Sequence, residues 1–156
     1  MNKYLFSVIV LIISSVSLNT ASADLQPVVS PGCTAMVKKS ALATITGQSK
    51  ALAKKDFTTA IAFSTADFRS GVSITDFTQI ITQSYQYLLG TKNIRLTNCR
   101  VIDKSFYIDV KVTDIKSEVF NLTYLIQKQG KKELIAPNKT GYGIAAAQLS
   151  PEEIIS

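Results

Sequence analysis

The stretch FYIDVKVTDIKSEVFNLTYLIQ, residues 106–127, decides the fold. Phe106, Ile108, Val110 and Val112 alternate with Tyr107, Asp109, Lys111 and Thr113, the period of a strand with one buried face. A turn is expected at 114–117. Beyond it Phe120, Leu122, Tyr124 and Ile126 face one way from Asn121, Thr123, Leu125 and Gln127. Two such strands joined by a short polar turn form an antiparallel pair whose apolar side needs a cover.

Reading outward, Ile94, Leu96, Asn98, Arg100 and Ile102 alternate with Arg95, Thr97, Cys99 and Val101, so this upstream strand has no purely apolar face. Asp103-Lys104 is a turn. Downstream, Gln129-Gly130 turns the chain again, residues 132–136 read as a shorter strand, and the loop PNKTGYG (137–143) precedes the apolar run 144–149. Before the sheet the period is helical. Ala41, Leu42, Ile45, Ser49, Leu52 and Ala53 make a stripe that leaves Lys38, Lys39, Lys50 and Lys54 largely outside. Gly47 lies within it, where a small residue would allow another element to come close. Residues 57–68 read as a second helix ended by Arg69-Ser70-Gly71. Ser73-x-x-Asp76 resembles a capping box ahead of the stripe Phe77, Ile80, Ile81, Ser84, Tyr85 and Leu88, which Gly90 stops. Helices followed by an antiparallel meander predict one α+β domain over residues 34–149. The long helices, above all 77–88, should cover the apolar side of strands 106–112 and 120–126.

The N-terminus reads as an address. Lys3 precedes a 13-residue apolar run, Tyr4 to Val16, and Ala21-Ser22-Ala23 has the small-x-small form of a cleavage site. The run is shorter than the roughly 20 residues a spanning helix needs. Residues 1–23 are therefore expected to be a signal peptide, residues 24–33 an irregular lead-in and residues 150–156 a C-terminal tail. The mature protein is expected to leave by the secretory route for the periplasm or the cell exterior, with no integral membrane segment after cleavage. In that compartment Cys33 and Cys99 could form a disulfide, worth about 4 kcal/mol on a chain-entropy estimate. Two separate buried thiols are the alternative.

The full chain has 156 residues, 17 Lys plus Arg, 11 Asp plus Glu and no histidine, a formal charge of +6. Lacking imidazole, it cannot run Ser-His-Asp hydrolysis or hold zinc through histidine. No Gly-x-Gly-x-x-Gly run or four-ligand metal spacing occurs, so no cofactor and no metal are expected. Its lysines come in pairs, with few arginines, which argues against a nucleic-acid partner.

Four stretches carry a resemblance: ALAKKDFTTA (51–60), AFSTADF (62–68), FTQII (77–81) with Tyr85, and TYLIQKQG (123–130). The run from Gln48 to Ile135 resembles the domain of unknown function 4864 family, whose fold is placed among the nuclear-transport-factor-2-like (cystatin-like) α+β cones. Thr65-Ala66 stands where that family usually has serine-proline, Tyr85-Gln86 where tyrosine-proline is common, and Lys132-Glu133-Leu134 where the closing strand usually carries a tryptophan. The resemblance implies helices packed on a curved antiparallel sheet. It implies no activity, since cones of this kind host isomerases, dehydratases and binding subunits alike.

The candidate pocket-lining residues are Phe63, Phe77, Ile81, Tyr85, Phe106, Ile108 and Tyr124. The reading that follows is an exported, non-catalytic module binding a small apolar ligand or an envelope protein. A homodimer through the outer sheet face (Tyr107, Val101 and Leu125) is a further possibility. The alternative function is an isomerase- or hydratase-like enzyme that uses a pocket carboxylate, from among Asp56, Asp67, Asp76, Asp103, Asp109, Asp114 and Glu118. Tyr85, Tyr107 or Tyr124 would then serve as a hydrogen-bond donor.

Overall fold

The two alternating stretches form β2 (Ser105–Asp114) and β3 (Val119–Lys128), antiparallel, with Phe106 opposite Ile126 and Val112 opposite Phe120. They are flanked by β1 (Thr91–Ile102) and β4 (Tyr142–Leu149) in an open four-stranded antiparallel sheet of order β1-β2-β3-β4. The computed structural model describes residues 32–150; the expected signal peptide (1–23), most of the expected lead-in (24–31) and the tail from residue 151 lie outside them. Ahead of the sheet come α1 (Ala35–Ala53), α2 (Phe57–Ile61), α3 (Ala66–Gly71), α4 (Ile74–Ser84) and a 3-10 turn (Gln86–Gly90). The fold is α+β.

Ile108, Val110, Val112, Leu122, Tyr124 and Ile126 are all 1% exposed or less. Burying each such side chain favours folding by roughly 1.5–3 kcal/mol, so this face is the chief driving force of the fold. The turns between strands follow from local chemistry. Asp103 and Lys104 both have positive φ, the two-residue hairpin turn whose twist suits the flanking strands. Asp114 is buried and its carboxylate accepts from the Lys116 and Glu118 amides, which holds the next turn with Ser117 in the left-handed region.

A bulge accounts for the mixed faces of β1. Ile94 and Leu96 stand opposite Val112 and Val110; the register then shifts between Leu96 and Asn98, and Cys99 and Val101 stand opposite Ile108 and Phe106. One extra residue turns the second half of the strand over. Ile94, Leu96, Cys99 and Val101 thus share the inner face, and Val101 does not join Tyr107 and Leu125 on the outer one. Cys99, turned inward, is bonded to Cys33 with the Cα atoms 5.7 Å apart, and Gly32 bridges Arg100.

Two expected elements differ. Residues 57–68 are not one helix: α2 ends at Ile61, and Ser64 forms a parallel bridge to Ile144 through Ile144 N–H to Phe63 C=O and Thr65 N–H to Ile144 C=O. Thr65 then caps α3 by accepting from the Phe68 amide. This crossing needs Gly143, where a Cβ would lie 2.8 Å from the Thr65 nitrogen. Residues 132–136 are turns and irregular chain rather than a strand. The fourth strand is the later apolar run, reached through a loop held by buried Asn138, which donates to the Tyr142 carbonyl and accepts from the Thr140 amide.

The helix seated on the sheet is α1. Its backbone comes close to β1, β4 and the 3-10 turn, whereas α4 comes close to α2 and that turn. Phe77 and Ile81 of α4 and Leu88 of the 3-10 turn belong to the same buried cluster, while the α4 backbone stands off from the strands. A Schellman arrangement ends α1: the Lys55 amide donates to Leu52 and the Asp56 amide to Ala51, with Lys55 at φ 56°. Gly47 has the neighbour that its smallness suggested, for a Cβ there would overlap the ring of Phe63.

Two tests follow from this packing. Denatured without reductant, the protein should yield no free thiol, and C33S/C99S should unfold in urea with about 4 kcal/mol less stability, the value for a 66-residue separation. Gly47→Ala should destabilise by about 1–2 kcal/mol, because overpacking against Phe63 outweighs the helix-propensity gain. Adding Phe63→Leu should recover most of that loss; a stabilised single variant would contradict the close approach.

Candidate functional site

Because α4 stands off from the sheet, a pocket of about 210 Å³ opens between α4 and β4. Phe68 from α3, Phe77, Ile80 and Ile81 from α4, and Tyr85 and Leu88 from the following turn form one wall. The other wall is Ile144 with Ala145, Ala146 and Ala147. Ala147 leaves the space: a larger residue there, opposite core residue Tyr124 in the ladder, would fill it, whereas Ala146 stands opposite Leu125 on the outer face. An apolar cavity of about 150 Å³ is enough to hold benzene, so this one suits a compact apolar molecule.

The polar groups at this pocket are few. Tyr85 donates its hydroxyl to the Ala147 carbonyl at 2.7 Å, which ties α4's end to β4 and leaves that O–H engaged. Gln48 reaches the Ala60 carbonyl at 3.4 Å, and Ser64 is fixed through its bridge to Ile144. Tyr87 stacks on Phe120 with ring centroids 4.2 Å apart and backs Tyr85 at 6.1 Å. Tyr124 lies deeper. Burial first, and then the neighbouring Tyr87 and Tyr85, push its hydroxyl well above the usual tyrosine range, so it stays protonated.

Among the residues expected to line a pocket, the structure brings Phe77, Ile81 and Tyr85 together there. Phe63 packs under Gly47, Phe106 meets Tyr142 edge-on at 5.7 Å, and Ile108 and Tyr124 are enclosed in the core. Sequence reasoning missed Phe68, Ile80, Leu88 and the whole β4 wall. The signal was available for Ile80 and Leu88, which share the stripe of Phe77, Ile81 and Tyr85.

The carboxylates lie elsewhere. Asp109 is on the outer sheet face, where Arg100 donates to it at 3.0 Å and Thr123 at 2.7 Å. Asp56 caps α2; hydrogen bonds from Thr59, foremost that from its backbone amide, hold this exposed carboxyl below the usual range. Asp76 accepts from the Ser73 hydroxyl at 2.6 Å, and Asp67, Asp103 and Glu118 are exposed. None of these lines the pocket. Among the described residues no group of three or more His, Cys, Asp or Glu could hold a metal, and no helix is long and apolar enough to cross a membrane. On the outer face Tyr107 stands opposite Leu125 with the Arg100 guanidinium 5.9 Å from the Tyr107 ring.

No curated protein and no solved structure gives a significant match to the chain. The family model described as a domain of unknown function, DUF4864, matches residues 35–136, from the first residue of α1 to six residues before β4. The alanine wall of the pocket thus lies beyond the matched span. That span is 102 of the 156 residues, and the chain belongs to the DUF4864 family.

Proposed function

We propose that this protein is a small exported binding module that holds a compact apolar ligand between α4 and β4 without transforming it. The observation that carries the reading is the pocket of about 210 Å³ walled by Phe68, Phe77, Ile80, Ile81 and Leu88 on one side and by Ile144 and three alanines on the other. Burial of apolar ligand surface supplies the affinity in such a site, and a few polar groups at the rim set orientation. A proton-transfer enzyme would need a base within hydrogen-bond reach of the substrate. Among the described residues the pocket lining offers Tyr85, whose hydroxyl is already donated to Ala147, and no carboxylate. This favours binding over isomerase or hydratase chemistry.

Export is supported by the lysine, apolar run and Ala-Ser-Ala series at the N-terminus and by the Cys33–Cys99 bridge, since disulfides persist in oxidising compartments. The periplasm or the cell exterior is the place we assign. We place the fold with the nuclear-transport-factor-2-like cones on similar grounds: helices on one face of an open antiparallel sheet and a pocket between them. A homodimer through Tyr107 and Leu125 has less support, because two half-buried side chains fall far short of the roughly 800 Å² per partner of a standard interface.

N-phenyl-1-naphthylamine, an apolar probe that fluoresces when sheltered from water, tests the reading. It should bind saturably with a dissociation constant on the order of 10 μM, from about −0.4 kcal/mol per non-hydrogen atom over some 17 atoms. Ala147→Phe, which fills the pocket, should abolish the signal. Ile80→Gln, at a position 42% exposed and therefore tolerant of change, should weaken binding about fivefold. Absence of saturable fluorescence, or binding indifferent to both substitutions, would overturn the proposal.

A further inference from the structure

The other side of α1 carries a second concavity. Thr46, Ser49, Lys50, Ala53 and Lys54 recur at three and four residues and so form one stripe along the helix. The first residues of β1, Thr91 to Ile94, run beside that stripe. Between them lies a hollow of about 420 Å³ lined by Thr46, Ser49, Lys50, Lys54, Lys92 and Asn93, among others. Three lysines line it from two elements, and among the described residues no carboxylate does. The neighbouring Asp56 has its carboxylate on the Thr59 amide instead.

Ser49 is the independent observation. It is 5% exposed, yet its hydroxyl makes no hydrogen bond with any described residue. A helical hydroxyl commonly returns to the carbonyl four residues earlier, as Thr44 does to Ser40 at 2.9 Å. Ser49 instead lines the hollow. Guarding an edge strand accounts for Lys92, and the helix dipole accounts for Lys50 and Lys54. Neither accounts for a hydroxyl in their midst that makes no hydrogen bond with a described residue and whose oxygen keeps its access to the hollow.

We infer that this hollow binds a phosphate-type anion. The phosphate oxygens accept from the Ser49 hydroxyl and draw in the ammonium groups of Lys50, Lys54 and Lys92, while the Asn93 amide supplies a further donor at the rim. Lysine binds phosphate as a point charge, and a fixed hydroxyl adds direction to it. The same oxygens occur on a free phosphate compound and on an anionic lipid headgroup.

The test is an amide NMR titration of the oxidised protein with inorganic phosphate at constant ionic strength, with chloride as control. Sedimentation with phosphatidylglycerol and with phosphatidylcholine vesicles runs beside it. Saturable shifts confined to residues 46–54 and 91–94 are expected if the source is free phosphate, and sedimentation with phosphatidylglycerol alone if it is a headgroup. Ser49→Ala should weaken whichever binding is seen about tenfold, the scale of one hydrogen bond to a charged group. K50Q/K54Q/K92Q should weaken it about a hundredfold, at roughly a factor of five per lysine. K38Q/K39Q, on the same helix away from the hollow, should leave it unchanged. Binding in neither arm, binding insensitive to Ser49→Ala, or equal loss in K38Q/K39Q would overturn the site in favour of a diffuse basic surface.

Discussion

Several of the buried positions of α1 are small or slender: Ala41 and Thr44 are wholly enclosed, and Gly47 admits the Phe63 ring into the helix's flank. This lets the helix lie near β1, β4 and the 3-10 turn at once, and Ile45 and Leu52 fill the remaining space. The other elements take their places from that contact. The Thr44 hydroxyl meets that of Thr140 at 2.6 Å and holds the loop before β4. Phe63 carries the Ser64–Ile144 bridge beside it, and the Cys33–Cys99 bond joins the lead into α1 to the inner face of β1.

Seating α1 on the sheet also displaces α4. Its inward residues Phe77 and Ile81 are large, and its backbone comes close to α2 and the turn after α4 rather than to the strands. Opposite them the inner face of β4 presents Ala147 beside Ile144, so large residues on one element face a small one on another without interdigitating fully. Close packing is the rule in protein interiors, and an apolar pocket at such a boundary marks a place where the chain leaves room. Tyr85 spans the boundary by its hydrogen bond to Ala147, fixing the gap's width at one end.

Much of this was legible in the amino-acid sequence, and the exceptions share a cause. The alternation in 106–127 identified the central strand pair, because period two on one face is a strong local signal. Two kinds of event broke such signals. The bulge in β1 placed Ile94 and Leu96 on the same face as Cys99 and Val101, so a strict alternation mixed its two sides. At Ser64 and Thr65 the helical pattern continued on paper while the backbone left it to pair with Ile144, a contact 80 residues away. The fourth strand was misplaced because Leu134 and Ile135 looked more like a strand than an alanine run does. Phe77, Ile81 and Tyr85 could be named for the pocket since they share one stripe. The opposite wall could not, because alanines matter there for the volume they leave empty.

Methyl NOE spectroscopy on the oxidised protein tests the seating of α1 most directly. The account expects cross-peaks from Ile45 and Leu52 to inner residues of β1 and β4 such as Leu96 and Ile144, with Ile81 showing its contacts to the helical elements and the β4 alanines. Cross-peaks from Ile81 to Val110 and Val112, with Ile45 lacking any to the strands, would contradict it and remove the pocket between α4 and β4.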